Sequence, residues 1–134
     1  MAFLPQAQRT SPANRAIGLA AFAAAVVLLR LPFGRLTRIV ARVKRRCRRA
    51  ATPAEAETAV AAARAAGRWF PGRAACLENS LAAVLAAAAR GQGVDWCIGA
   101  RFAPFASHAW IETDGHPVGE SANPDRPYLL LLRI

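Results

Sequence analysis

The stretches Cys76-Leu77-Glu78-Asn79-Ser80-Leu81 and His108-Ala109-Trp110-Ile111-Glu112 decide the interpretation of this chain, and thirty-two residues separate the Cys from the His. The first opens a helical pattern over 75–90, which ends at Gly91, a residue type common just past a helix. The second lies in 107–113, which has the character of a strand. The sequence therefore predicts a thiol at a helix N-terminus and an imidazole on a later strand.

The rest of the pattern predicts helices first and strands afterwards. Helices are expected over 13–29, 35–49 and 53–68, the last beginning at the capping box Thr52-Pro53-Ala54-Glu55. Strands are expected over 94–101, 107–113, 116–121 and 127–133, with a hairpin signal at Asp114-Gly115. Helices followed by a small antiparallel sheet indicate an α+β domain.

Length and charge divide the chain into unequal parts. Its 134 residues allow one modest domain. Residues 1–50 carry eleven Arg and Lys and no acid, whereas 51–134 carry seven Arg and Lys and eight acids. We therefore expect a flexible tail over 1–12, a basic helical region over 13–50 and the core over 51–134. Only the basic region supports an argument about anionic partners.

The fourteen residues 16–29 form an unbroken apolar run. A spanning helix needs about 20 such residues, and no clear small-residue cleavage site follows the run. We expect a buried helix that packs on the C-terminal part. A membrane-associated or spanning helix and a signal peptide are the alternatives.

Basic residues dominate one side of the predicted helix over 35–49. In one interpretation the apolar side of this helix packs on the core and its basic side faces solvent. In the other, the basic side binds an acidic peptide, an acidic protein or anionic lipid. Arg45, Arg46 and Arg48 are the candidate partner-binding residues here. Peripheral membrane contact through 16–50 stays an alternative, and no nucleic-acid partner is expected.

Three cysteines at wide spacing argue against a disulfide scaffold and fit a reducing, cytoplasmic compartment. No CxxC pair indicates zinc, and no metal or cofactor is expected. Cys97, between Trp96 and Ile98, is interpreted as a packed thiol. Cys47 is surrounded by Arg, which could lower the pKa of its thiol, but no His lies near it in sequence.

A helix N-terminus and a neighbouring imidazolium both stabilise a thiolate, so Cys76 is the candidate nucleophile and His108 the candidate base. This order is the one used by papain-type cysteine nucleophiles. Glu112 lies about 13 Å along the strand from His108, which is too far to orient its ring. Glu120 is the preferred third residue, provided that an odd loop or a bulge in the hairpin turns it towards the face of His108. The other acids that follow are Asp114 and Asp125.

Three segments resemble the stand-alone leader peptidase of lasso-peptide biosynthesis, a transglutaminase-like cysteine protease. They are Pro71-Gly72-Arg73-Ala74-Ala75-Cys76-Leu77-Glu78-Asn79-Ser80-Leu81-Ala82, Trp96-Cys97-Ile98-Gly99, and Pro104 to Glu112 with Gly115 and Pro117-Val118-Gly119-Glu120. The resemblance is dense over 71–120 and weaker over 35–70.

The resemblance implies a papain/transglutaminase-like fold and a triad of Cys76, His108 and Glu120, the last standing where the family often has Asp. It implies removal of the leader from a ribosomally made precursor, usually just after a Thr, with a small leader-binding protein and an ATP-dependent cyclase as partners. ATP is also linked to leader removal in this family, although no nucleotide-binding motif is present here. Arg73 and Trp110 are further candidates for substrate or partner binding.

Two other hypotheses remain. The same triad would serve an acyltransferase or amidase acting on another peptide. The chain could instead be a non-catalytic, membrane-associated interaction protein built around 16–50. Replacing Cys76 distinguishes this last hypothesis from the two enzymatic ones.

Overall fold

Helices precede the main sheet along the chain, as the sequence predicts. The computed structural model describes residues 11–68, 76–102, 105–119 and 129–134. The helices are α1 (Pro12–Leu28), α2 (Phe33–Arg46), α3 (Pro53–Gly67) and α4 (Cys76–Ala89). The strands are β1 (Arg49–Ala50), β2 (Gln92–Gly93), β3 (Asp95–Phe102), β4 (Phe105–Thr113), β5 (His116–Val118) and β6 (Leu129–Arg133). The predicted α+β class is confirmed.

Local hydrogen bonds explain where α1 and α3 begin. Ser11 Oγ accepts the backbone N–H of Asn14 at 3.2 Å and caps α1. Thr52 and Glu55 form the predicted capping box, in which each side chain accepts the other residue's backbone N–H. Two hydrogen bonds from Arg49, at 2.5 and 2.6 Å, are the main reason that the pKa of Glu55 is lowered to about 2. The box therefore also connects β1 to α3.

The apolar run over 16–29 lies within α1 and the one residue that follows it, Leu29, and α1 packs against α3 and α4. Its buried residues are Gly18, Ala21, Phe22 and Ala25, and the last three belong to the main core cluster. The predicted packing of this helix on the rest of the chain is therefore confirmed. Within the described residues, no helix has both the length and the apolar character needed to cross a membrane.

Gly18 permits the close approach of α1 to α3. A Cβ at this position would lie 2.5 Å from the carbonyl oxygen of Ala62, whereas a Cβ at Gly34 in α2 would meet nothing within 4 Å. Gly18→Ala should destabilise the fold by about 1–3 kcal/mol through overpacking, despite the better helix propensity of Ala. Gly34→Ala should be neutral or stabilising by up to about 1 kcal/mol. Urea unfolding measures both, and equal stabilisation by the two variants would contradict this packing.

The main sheet is antiparallel, with the strand order β5-β4-β3-β6. Trp96 and Ile111 pair across β3 and β4, and both are buried in the core cluster that includes residues of α4. Successive residues of a strand point to opposite faces, so Cys97 and its partner Trp110 lie on the other face. A short parallel pairing of β1 with β2, which the sequence did not predict, joins the ends of α2 and α4.

The hairpin between β4 and β5 differs from the prediction. Its loop has two residues, Asp114 and Gly115, and Thr113 pairs with His116. Both loop residues have positive φ, 53° and 75°, as in the type I′ turn whose twist matches that of the strands. The pairing is regular out to Ile111 and Val118, so the expected odd loop is wrong and no bulge occurs over these residues.

The strand predicted over 116–121 is shorter in the described residues. β5 ends at Val118, and Gly119 has a φ of 70°, which takes the backbone out of the extended conformation. Glu120 lies outside the described residues, as do 121–128. The register condition attached to Glu120 therefore fails as far as Val118, and the direction of the chain changes just before the Glu.

Candidate active site

Cys76 is the first residue of α4 and therefore lies in its first turn, as predicted, and it is half-buried. Ser80, one turn further along the helix, accepts a hydrogen bond from Trp96 Nε1 at 2.9 Å and donates one to the carbonyl oxygen of Leu77 at 3.2 Å. Trp96 is fully buried in β3. This buried bond holds the first turn of α4, and with it the Cys, against the sheet.

Cys76 and His108 line the same cavity, which has a volume of about 210 Å³. The cavity lies between α3, the start of α4, β4 and Val118 of β5. Residues from both faces of β4 line it: Ala109 and Ile111 from the face towards the core cluster, and His108 and Trp110 from the opposite face. Arg64, Asn79 and Ser80 supply its other polar side chains, and Trp110 also lines it. Cys76 and His108, thirty-two residues apart in the sequence, therefore both contribute to the lining of one cavity.

Glu120, the third member of the predicted triad, lies outside the described residues, as do Arg73 and Asp125. The backbone directly before it is held in place, since Arg64 donates a hydrogen bond of 2.7 Å to the carbonyl oxygen of Gly119. Glu112 is buried and bound to Trp110 and Arg133. This agrees with the prediction that Glu112 does not orient His108 directly.

The other two cysteines do not line this cavity, and burial raises the pKa of both thiols. Burial raises the pKa of the Cys97 thiol to about 11, and Cys97 is fully buried, as predicted. Burial also raises the pKa of Cys47, and the opposing effect of Lys44 is smaller. The suggestion that the surrounding Arg residues lower the pKa of Cys47 is therefore wrong, because desolvation of the thiol outweighs the nearby positive charge.

Sequence reasoning missed Arg64 and Asn79 as members of the site. The Oδ1 atom of Asn79 is buried and has no hydrogen-bond partner among the described residues. An unsatisfied buried acceptor in the cavity that Cys76 lines is suited to receive an N–H of a bound peptide. The signal was present in the sequence, since Asn79 lies three residues after Cys76 and therefore on the same side of the helix.

The candidate partner-binding residues lie in two places. Arg45, Arg46 and Arg48 are exposed at the end of α2 and just after it, and they do not line the cavity. Trp110 lines the cavity and is only 8% exposed. Within the described part of the chain, no group of three or more His, Cys, Asp or Glu residues is arranged to hold a metal ion.

Comparison with known proteins places this chain in a family. The sequence model of the transglutaminase-like superfamily, whose members are often cysteine proteases or acyltransferases, matches residues 18–133. No curated protein and no solved structure matches the chain. The match covers most of the chain, from α1 to the end of β6, and includes both Cys76 and His108. The chain therefore belongs to the transglutaminase-like superfamily.

Proposed function

We propose that this protein is a cysteine peptidase that removes the leader from a ribosomally synthesised lasso-peptide precursor. The observation that carries the proposal is the cavity shared by Cys76 at the start of α4 and His108 on β4. Membership of the transglutaminase-like superfamily supports thiol chemistry at this pair. The choice of a lasso-peptide precursor rests on the resemblance over 71–120.

In the proposed reaction, Cys76 Sγ attacks the carbonyl carbon of the scissile peptide bond while His108 takes the thiol proton. The backbone N–H of Cys76 is one donor to the oxyanion that forms. His108 then gives its proton to the leaving amine, the C–N bond breaks, and the leader stays on Cys76 as a thioester. Water, deprotonated by His108, attacks the thioester, releases the leader as a carboxylic acid and restores the thiol.

Glu120 is the proposed third residue, orienting His108 and stabilising its charged form. Glu120→Gln should reduce turnover by about 10²–10⁴-fold while leaving residual activity, because orientation is impaired but nucleophile and base remain. Glu120→Asp should retain more activity, since it keeps the carboxylate. Steady-state cleavage rates measure both variants. Asp125→Asn is the control, and a larger loss there than in Glu120→Gln would transfer the role to Asp125.

The proposed partners are the precursor, a small leader-binding protein and an ATP-dependent cyclase. The exposed basic face of α2, with Arg48 beyond its end, is the proposed contact for the acidic leader or its carrier. Reversing Arg45, Arg46 and Arg48 to Glu should weaken cleavage of the full precursor more than it affects folding. At ordinary ionic strength, salt screens exposed charges that are more than roughly 8–10 Å apart. The rate of precursor cleavage by the wild-type protein should therefore also fall as the salt concentration rises.

A matched control separates this local effect from net charge. Reversing Arg15, Arg30 and Arg68, which are exposed and lie outside α2, changes the net charge by the same amount. The α2 variant should have a much higher KM than this control, while both keep the unfolding midpoint of the wild type. Equal KM values, or a wild-type rate that does not change with salt, would mean that the basic side of α2 faces solvent and binds no acidic partner.

The direct experiment incubates the intact protein with the precursor encoded beside its gene, with and without the small leader-binding protein. Mass spectrometry should find two products, the leader with a free carboxylate and the core peptide. Adding a small primary amine tests the alternative, since an acyltransferase would release the leader as an amide. If the precursor stays intact in every mixture, lasso-leader removal is the wrong function.

A further inference from the structure

A line of side chains on β4 connects His108 to the edge of the sheet. His108, Trp110 and Glu112 alternate along the strand, so they lie on one face. The rings of His108 and Trp110 are stacked, with centroids 5.7 Å apart and planes inclined by 19°. Trp110 Nε1 donates to Glu112 Oε2 at 2.7 Å, and the Arg133 guanidinium donates to Glu112 Oε1 at 2.7 Å.

The Glu112 carboxylate is held on both oxygens. The residue is only 5% exposed, and a buried charge is tolerated when it is paired and hydrogen-bonded. Arg133 on β6 supplies the positive charge, and its own side chain is 47% exposed. Because Arg133 fixes the Glu112 carboxylate, the hydrogen bond from Trp110 Nε1 to that carboxylate selects one orientation of the indole ring.

Gly99 provides the space that brings the indole to His108. Trp110 is paired with Cys97, but its six-membered ring lies over Gly99, whose partner across the strands is His108. A Cβ at Gly99 would lie 2.7 Å from Trp110 Cη2 and 2.9 Å from the carbonyl oxygen of Leu129. Any other residue at this position would therefore push the indole away from the imidazole.

We propose that Trp110 is a positioning residue for His108, and that Glu112, Arg133 and Gly99 hold Trp110 in place. This role rests on the proposed function of His108 as the base. Proton transfer from the Cys76 thiol requires a fixed imidazole plane, and the stacked indole limits rotation of the ring. The face of an indole also attracts the imidazolium formed after that transfer. Glu112 thus acts on His108 indirectly, through Trp110.

Imidazole proton NMR tests the stacking, because the chain has two histidines and His116 is exposed. His116→Gln identifies the signals of His108. In the otherwise wild-type chain, the His108 ring protons should lie upfield of those of His116, since the indole shields them. Trp110→Leu should abolish this upfield shift, and it should slow alkylation of Cys76 by iodoacetamide about tenfold or more. Trp110→Phe keeps a stacking ring and should restore much of the alkylation rate.

Glu112→Gln and Gly99→Ala disturb the indole without replacing it, so both should move the His108 signals even where Trp110→Leu fails to fold. Glu55→Gln is the matched control, because Glu55 also accepts hydrogen bonds from an Arg but lies outside the cavity of Cys76 and His108. It should leave the His108 signals and the alkylation rate unchanged. Unshielded His108 protons in the wild type, or a Trp110→Leu variant alkylated at the wild-type rate, would overturn the proposal.

Neither readout uses a precursor peptide, so the two proposals fail separately. Suppose that Trp110→Leu loses the upfield shift of His108 and slows alkylation of Cys76, but the wild-type protein cleaves no leader. The positioning role would then be retained and the lasso-peptide substrate rejected. Leader cleavage by a Trp110→Leu variant at the wild-type rate would do the reverse.

Discussion

Cys76→Ala should abolish cleavage of the precursor, lowering the rate by about 10⁴-fold or more, because the thioester cannot form without the thiol. The comparison that gives this result meaning is with the other two cysteines. Cys97→Ala and Cys47→Ala should leave the chemistry in place, since neither residue lines the cavity and burial raises the pKa of both thiols. Mass-spectrometric assays of the three variants, at matched folded fractions, measure the effect.

Substantial cleavage by Cys76→Ala would reject the assignment of the nucleophile. It would also remove both enzymatic hypotheses that depend on this thiol. The interaction hypothesis would then gain support, because it assigns the function to the helices over 16–50 and requires no reaction at the cavity.

His108→Ala should reduce the rate by several orders of magnitude, because the thiol then loses its proton acceptor and the leaving amine loses its proton donor. His116→Ala is the matched control, since His116 is exposed at the hairpin and does not line the cavity with Cys76. It should have little effect. Initial rates for both variants, with circular dichroism to verify folding, provide the comparison, and equal losses would mean that the pair has been assigned wrongly.

The helices and the placement of Cys76 and His108 on their elements could be predicted because their signals are local. Thr52 and Glu55 cap α3 through contacts within one turn, and Gly91 ends α4 with a φ of 74°. The position of Cys76 at a helix start and of His108 on a strand follows from the same kind of pattern. That Cys76 and His108 line one cavity depends on tertiary packing, and we expected it from the order of the two motifs and from the resemblance.

The hairpin register was predicted wrongly because the choice rested on what Glu120 would need. The local chemistry of Asp114-Gly115 favours the two-residue turn that the structure has. The need for the Glu120 carboxylate at the site cannot alter the hairpin register, because Asp114 and Gly115 already favour a two-residue turn. Gly119, with its positive φ, is the residue at which the chain departs from the regular strand.

Burial and long-range contact account for the remaining differences. The pKa of Cys47 depends on how much protein covers its thiol, and no sequence pattern gives that coverage. Arg64 reaches Gly119 from a helix fifty-five residues away, and Arg133 reaches Glu112 from the last strand. Such contacts are set by sheet order and helix packing, so the polar surroundings of the pair could not be derived from spacing alone.

Competitive alkylation tests the central claim most directly. The native protein is treated with limiting iodoacetamide at pH 7, and peptide mapping measures how fast each of its three cysteines is labelled. Burial raises the pKa of Cys47 and Cys97, which lowers the fraction of thiolate at both positions. Cys76 should therefore be labelled first, and His108→Ala should slow its labelling while leaving the other two unchanged. Faster labelling of Cys97 than of Cys76 in the native protein would contradict the assignment of Cys76 as the nucleophile.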